Sequence, residues 1–163
     1  MSPSWSAFAG TVLYLDTMVP YALLRRLEPT VQELFARVER GEIRAYSSVL
    51  TFDELAYRML LALVRDHYDG SPLDRLRDDE TRMIAEFYPL LAPHLSQLRA
   101  FPNWFLVDMT ASDLDAMDEA MRRYHLRPRD ALHLAAMQKC GCLDLVSNDA
   151  GFDRVPQVRR YTL

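Results

Sequence analysis

The sequence predicts an α/β domain with a central parallel sheet of four to five strands flanked by helices. Short runs rich in branched and aromatic residues alternate with longer segments of helical periodicity along the 163 residues. This alternation is typical of βα units, whose strands lie parallel. The length suits one hydrophobic core, and no Gly- or Pro-rich linker divides the chain. We therefore expect a single domain over residues 1–163.

Glycine and proline residues mark the ends of several predicted helices. Gly41 is placed to end the second helix, and residues 69–72 end the third. Pro128 suits the first turn of the last helix. The expected strands are residues 11–15, 43–47, 104–109, 143–147 and, at an edge, 158–163. The expected helices are residues 19–27, 30–40, 51–67, 74–98 with interruptions near Pro89 and Pro93, 111–124 and 128–141. Residues 66–100 thus form an extended helical segment in the middle of the domain.

The sequence disfavours membrane and secreted proteins. The first ten residues lack the basic and apolar regions of a signal peptide, and the apolar runs are far shorter than the roughly 20 residues that span a bilayer. We therefore expect a cytoplasmic protein with no membrane partner. The net charge of −4 is a weak guide to nucleic-acid binding, because local patches set the binding field.

Four carboxylates are expected at one edge of the sheet. Asp16 and Asp149 directly follow the first and fourth strands. Glu54 lies near the start of the helix after the second strand, and Asp130 lies in the first turn of the Pro128 helix. Ligands of open parallel sheets bind beyond the carboxyl ends of the strands, where all four acids would lie. This geometry requires the helix over residues 111–124 to cross that edge obliquely.

Each acid also has an explanation that needs no active site. Asp16 and Asp149 could serve turns, and Asp130 could favour the positive end of its helix. Glu54 lies three residues after Thr51, the spacing of a capping box in which Glu54 bonds the Thr51 backbone N–H. The combination favours a metal site, because a divalent cation removes the repulsion between neighbouring carboxylates. Such ligands suit Mg²⁺ or Mn²⁺, which can activate water against a phosphodiester.

Four short motifs resemble the PIN domain in sequence and order, and most closely the VapC type of toxin ribonuclease. They are residues 13–17 (LYLDT), 48–55 (SVLTFDEL), 129–135 (RDALHLA) and 146–153 (VSNDAGFD). The resemblance implies a PIN-like nuclease domain, an endoribonuclease that hydrolyses RNA phosphodiester bonds with Mg²⁺ or Mn²⁺. It also implies a small cognate antitoxin and a homodimer.

The resemblance implies a role for each acid of this catalytic quartet. Asp16 and Asp130 would bind the metal directly. Asp149 would hold the metal or its waters. Glu54 would complete the shell or orient the attacking water.

Other polar residues of the same motifs have weaker assignments. Ser147 and Asn148 resemble the polar pair that precedes the last acid of the family and would support the metal ligands. Asp153 could assist as a further acid or could be a solvated surface acid. His133 lies three residues after Asp130, on the same helix face, and we expect a packed histidine rather than a ligand.

Two other functions stay open at this point. One is a PIN nuclease that matures or degrades RNA without an antitoxin, and the other is a non-catalytic PIN-like module that binds RNA or protein. The intact quartet counts against the second. The helical residues 66–100 exceed what a compact VapC toxin needs, and residues 51–100 could form an apolar wall for an antitoxin tail. The candidate wall residues are Tyr57, Leu60, Leu61, Tyr88 and Leu91.

Overall fold

A five-stranded parallel sheet organises the computed structural model, which describes residues 2–163. The strands are β1 (Val12–Leu15), β2 (Arg44–Ser48), β3 (Trp104–Val107), β4 (Asp144–Val146) and β5 (Arg159–Tyr161). Their order is β3-β2-β1-β4-β5, and every neighbouring pair is parallel. The predicted α/β class is therefore confirmed, with the fifth strand at an edge.

Seven α-helices surround the sheet within the described residues. They are α1 (Met18–Arg25), α2 (Pro29–Glu39), α3 (Val49–His67), α4 (Pro72–Asp78), α5 (Glu80–Arg99), α6 (Asp113–Tyr124) and α7 (Pro128–Cys140). Gly41 and Gly141 follow α2 and α7 with φ angles of 74° and 69°. Glycine adopts this left-handed conformation without strain, which is why both helices end where the sequence predicts.

The alternation of side chains along β1 separates two layers of helices. Leu13 and Leu15 are fully buried in the cluster that includes the apolar faces of α1, α2, α3 and α5. Tyr14, between them, is fully buried on the other face against Met137 of α7. Successive strand residues point to opposite faces, so the sheet lies between the two helical layers.

The prediction that prolines interrupt the helix over residues 74–98 is wrong. Helix α5 is continuous past Pro89 and Pro93, and the break lies earlier, at Asp79 between α4 and α5. Both prolines are exposed, so the carbonyls that lose a backbone partner face water. The opposite face of α5 is a buried stripe that keeps the helix continuous. Leu91, Leu95 and Leu98 pack on the main core, and Met83 and Phe87 pack in a separate cluster.

A second, smaller core joins α3, α4 and the first half of α5. Val64 at the end of α3, Leu76 of α4, and Met83 and Phe87 of α5 form a separate small hydrophobic cluster. Burial within this cluster stabilises the three helices against one another. Within residues 2–163, no helix is long and apolar enough to cross a membrane.

Helices α6 and α7 form an antiparallel hairpin, with α6 over the residues that were expected to cross the sheet edge. Lys139 near the end of α7 donates to the Asp113 carboxylate at the start of α6, with an N–O distance of 3.0 Å. Ala120 and Leu134 belong to one buried cluster between the helices. The hairpin lets α6 return the chain to the edge where Asp130 begins α7, and apolar burial between the helices stabilises that path.

Candidate active site

An open cleft lies at the carboxyl edge of the sheet and has a volume of about 1030 Å³. Its lining includes all four acids of the predicted quartet, namely Asp16, Glu54, Asp130 and Asp149. The structure therefore brings these four residues together, although they come from four separate segments. The rim carries three exposed arginines, Arg58, Arg127 and Arg129.

Ser147 connects two of the acids. The register that pairs Leu15 of β1 with Val146 of β4 places Asp16 beside Ser147 at the ends of these strands. The buried Ser147 hydroxyl donates to Asp16 Oδ2 at 2.6 Å and accepts from the Asp149 backbone N–H at 3.0 Å. The other Asp16 oxygen accepts from the Thr17 N–H at 2.7 Å. The Asp16 carboxylate is thus held in one orientation at the cleft.

The loop after β4 positions Asp149. Its carboxylate caps a short 3₁₀ helix (Ala150–Arg154) by accepting from the Gly151 N–H at 2.7 Å. A Cβ atom at Gly151 would lie 2.9 Å from Asp149 Oδ1, so the close approach requires glycine. Asn148 also lines the cleft, and its side-chain oxygen accepts from the Leu163 N–H.

The capping-box explanation of Glu54 is wrong. Helix α3 begins at Val49, with Ser48 at the N-cap, so Thr51 lies inside the helix, and its hydroxyl has no hydrogen-bond partner among residues 2–163. The Glu54 carboxylate instead faces the cleft and accepts from the Thr17 hydroxyl at 2.6 Å. The sequence pattern was misleading because the helix starts one turn early.

Glu54 is held ionised by its surroundings. Arg129 donates to Glu54 Oε1 at 3.4 Å, and His133 Nε2 lies 3.6 Å from Glu54 Oε2. Burial opposes ionisation, but the contacts with His133 and Thr17 and the charge of Arg129 outweigh it and lower the pKa of Glu54 from 4.5 to about 2.

The surroundings of Asp130 disfavour its ionised form, in contrast to those of Glu54. Burial, followed by the negative charges of Asp149 and Asp16, raises the pKa of Asp130, and the nearby Arg127 only partly offsets this. The charges of Asp149 and Asp16 therefore oppose the ionisation of Asp130, whereas Glu54 has partners that favour its ionisation. A cation among the aspartates would relieve this repulsion.

Comparison with known proteins identifies the family. The PIN domain family matches residues 13–158, most of the chain. This chain belongs to the PIN domain family. PIN domains are generally nucleases and use divalent metals.

Two solved structures share the fold of this PIN domain. One is a chain of VapBC2 from Rickettsia felis bound to a DNA fragment from their promoter, with a TM-score of 0.60, 11% identity, and coverage of 94% of this chain and 99% of that one. The other is a chain of a toxin-antitoxin complex from Klebsiella pneumoniae, with a TM-score of 0.52, 15% identity, and coverage of 90% and 94%. No curated protein matches the chain.

The donor set of this PIN domain fits a hard divalent cation. Atoms of Asp16, Glu54 and His133 lie within 4.8 Å of one another, and the charges of Asp149 and Asp16 act on the nearby Asp130. Carboxylate oxygens suit Mg²⁺ or Mn²⁺. His133, which the sequence places on the same helix face as Asp130, is buried as expected for a packed histidine, and it also lies beside Glu54.

Asp153 is not part of the cleft. It forms a paired interaction with Arg160 of β5, with N–O distances of 2.7 and 2.8 Å. The largely buried Arg160 also donates to the Ser147 carbonyl at 3.0 Å. In the described part of the chain, Arg160 and the Ser147 carbonyl link Asp153 to the site.

Proposed function

We propose that this PIN domain is a Mg²⁺- or Mn²⁺-dependent endoribonuclease and the toxin of a toxin–antitoxin pair. The observation that carries the nuclease proposal is the convergence of four carboxylates in one open cleft rimmed by arginines. Such a site can bind a cation and a phosphodiester side by side. The cytoplasm is the proposed location of this activity.

Asp16, Asp130 and Asp149 are the proposed metal-binding residues, because the charges of Asp149 and Asp16 oppose the ionisation of Asp130 and a bound cation would remove this repulsion. A bound divalent cation supplies charge neutralisation at the phosphate and a nucleophilic water at neutral pH. Glu54 is the proposed group that orients the attacking water or completes the shell. Ser147 supports Asp16 and Asp149 through its hydroxyl.

The arginine rim is the proposed contact surface for the RNA backbone. Arg58 projects from α3 one turn after Glu54, and Arg127 directly precedes α7. Guanidinium groups bind phosphate oxygens in a bidentate manner. A local basic rim attracts RNA even though the whole chain carries a net charge of −4.

The nuclease proposal is tested by RNA cleavage with the purified protein in Mg²⁺ or Mn²⁺ and in excess EDTA. We expect cleavage with metal, none with EDTA, and a loss of at least about two orders of magnitude for Asp16→Asn. Asp118→Asn, on the exposed face of α6, is the matched control and should cleave normally. Cleavage under full chelation contradicts metal dependence, and a near-normal rate for Asp16→Asn contradicts the proposed site.

A groove between α3 and α5 is the proposed binding surface for an antitoxin segment. Tyr57, Ile84 and Tyr88 line it and are 46%, 43% and 58% exposed. Tyr57 also lines the acidic cleft, so a chain bound along the groove would lead into the cleft. Leu91 lies at the groove floor but is 4% exposed, so it serves mainly the core.

The form of inhibition follows from the charge of the cleft. An apolar segment of the antitoxin would occupy the groove, as in helix-in-groove recognition. An Arg or Lys beyond it would then reach Asp16, Asp130 and Asp149. The similarity of fold to chains from VapBC2 and from a toxin-antitoxin complex supports this partner. A homodimer is proposed on the resemblance to the VapC type alone.

Co-expression with the product of the neighbouring upstream gene tests the partner proposal. We expect growth arrest by this chain alone, relief by the neighbour, and relief by Asp16→Asn. Tyr88→Ser should weaken relief by the neighbour without changing RNA cleavage, because Tyr88 lies in the groove and outside the acidic cleft. A harmless active nuclease without a binding partner would favour RNA maturation instead.

A further inference from the structure

A buried histidine lies directly behind the carboxylate of Glu54. His133 is 3% exposed, and its Nε2 has no hydrogen-bond partner within residues 2–163. That atom lies 3.6 Å from Glu54 Oε2. His133 can therefore serve either as a metal ligand or as a group that positions Glu54, and the hydrogen bonds at its other ring nitrogen distinguish these roles.

The contacts of both ring nitrogens bear on where the ring proton lies, because the Tyr14 hydroxyl can donate to Nδ1 or accept from it, whereas only an Nε2–H is attracted to the Glu54 carboxylate. The hydroxyl of Tyr14, buried in β1, is 2.9 Å from His133 Nδ1, and the Ser48 hydroxyl is 3.4 Å from it. A tyrosine hydroxyl keeps its proton at neutral pH and can donate it to an unprotonated ring nitrogen. With Nδ1 as an acceptor, the proton of the neutral ring lies on Nε2.

We propose that His133 is a positioning residue whose Nε2–H faces Glu54, and that Tyr14 sets this tautomer. A protonated Nε2 has no lone pair for a metal, so His133 does not act as a ligand. The Glu54 carboxylate is then held from three sides, by His133, by the Thr17 hydroxyl and by Arg129. This inference rests on the proposed nuclease function, in which a carboxylate oriented before substrate binds needs no reorganisation during the reaction.

The tautomer can be measured without any activity assay. Long-range ¹H–¹⁵N spectra of the four histidine rings, assigned with His133→Gln, report which nitrogen of His133 carries the proton. We expect an Nε2-protonated ring whose nitrogen shifts stay unchanged when Mg²⁺ is added to saturation. An Nδ1-protonated ring, or an Nε2 that becomes metal-bound on adding Mg²⁺, overturns the proposal.

Variants test the effect on catalysis. Tyr14→Phe should populate the second tautomer and lower kcat about tenfold, the scale of one hydrogen bond, with less than about a twofold change in the half-saturating Mg²⁺ concentration. Tyr46→Phe is the matched control, because Tyr46 pairs with Tyr14 across the sheet but does not bond His133. An unchanged kcat in folded Tyr14→Phe contradicts the role of Tyr14.

A pair of substitutions at His133 separates positioning from packing. Gln carries an N–H donor near the position of Nε2, so His133→Gln should keep kcat within about threefold, whereas His133→Leu should lose about tenfold. Equal losses in the two variants, or a change only in the Mg²⁺ requirement, contradict the proposal. If the wild type cleaves no RNA, the proposed function fails, while the ring spectra still decide the tautomer.

Discussion

The substitution Glu54→Gln tests the electrostatic balance of the cleft most directly. Gln keeps the shape of the side chain and can still accept from the Thr17 hydroxyl, but it removes the negative charge that Arg129 and His133 face. We expect a less stable metal-free protein at neutral pH. We also expect RNA cleavage to fall by about two orders of magnitude, the scale of one key electrostatic group.

The size and pH dependence of the stability effect follow from the pKa of Glu54. A carboxyl whose pKa is lowered from 4.5 to about 2 on folding contributes up to about 3 kcal/mol of stability at neutral pH. The folded-state pKa is depressed, so this contribution is present above the unfolded value of 4.5 and is lost as the pH falls towards 2. Glu54→Gln should therefore be about 1–3 kcal/mol less stable at pH 7 and should approach the wild type in acid.

Urea unfolding followed by circular dichroism in EDTA, from pH 7 down to pH 3, measures this difference. The matched control is Asp53→Asn, which removes an exposed acid 3.6 Å from Arg129 and should change stability by less than about 1 kcal/mol. Equal stabilities of wild type and Glu54→Gln at every pH would refute the assignment of the lowered pKa to Glu54. A stability loss that persists unchanged in acid would mean that the effect is packing rather than charge.

Three other substitutions probe separate parts of the site. Asp130→Asn should stabilise the metal-free protein by about 0.5–2 kcal/mol, because it relieves like-charge repulsion, and should abolish metal-stimulated cleavage; urea unfolding and rate measurements check this. Arg58→Gln should weaken RNA binding and reduce the slope of log affinity against log salt by about 1, whereas Arg122→Gln on α6 should not. Gly151→Ala should displace the Asp149 carboxylate and raise the Mg²⁺ concentration needed for cleavage with little change in thermal stability.

The sequence could predict the fold because its signals are local. Gly41 and Gly141 end their helices through a conformation that glycine alone adopts easily, and the alternation of strands and helices implies a parallel sheet. The continuity of α5 past Pro89 could not be predicted in this way. It depends on which face of the helix the rest of the chain buries, and a single segment does not reveal that face.

In the candidate site, too, the positions of the acids could be predicted from the sequence but their contacts could not. Asp16 and Asp149 could be placed at one edge because each follows a strand. The contacts that orient them could not be predicted, because Ser147 acts on Asp16 only through the register of two strands more than a hundred residues apart. The local pattern around Thr51 even indicated a cap for Glu54, and the real partners of Glu54 lie on α7 and after β1.

The different environments of Glu54 and Asp130 imply different roles for the two carboxylates in the cleft. The negative charge of Glu54 is already stabilised by a hydroxyl, an arginine and a histidine. Binding a cation would therefore gain little free energy from this charge. Asp130 is destabilised by burial and by Asp149 and Asp16, and its charge is relieved only when a cation arrives. The free energy of metal binding would therefore come mainly from the aspartates, while Glu54 stays free to orient the water. Asp130→Asn should therefore weaken Mg²⁺ binding far more than Glu54→Gln does. Titration calorimetry of the two variants measures this difference. Equal losses of Mg²⁺ affinity would mean that Glu54 and the aspartates contribute equally to metal binding.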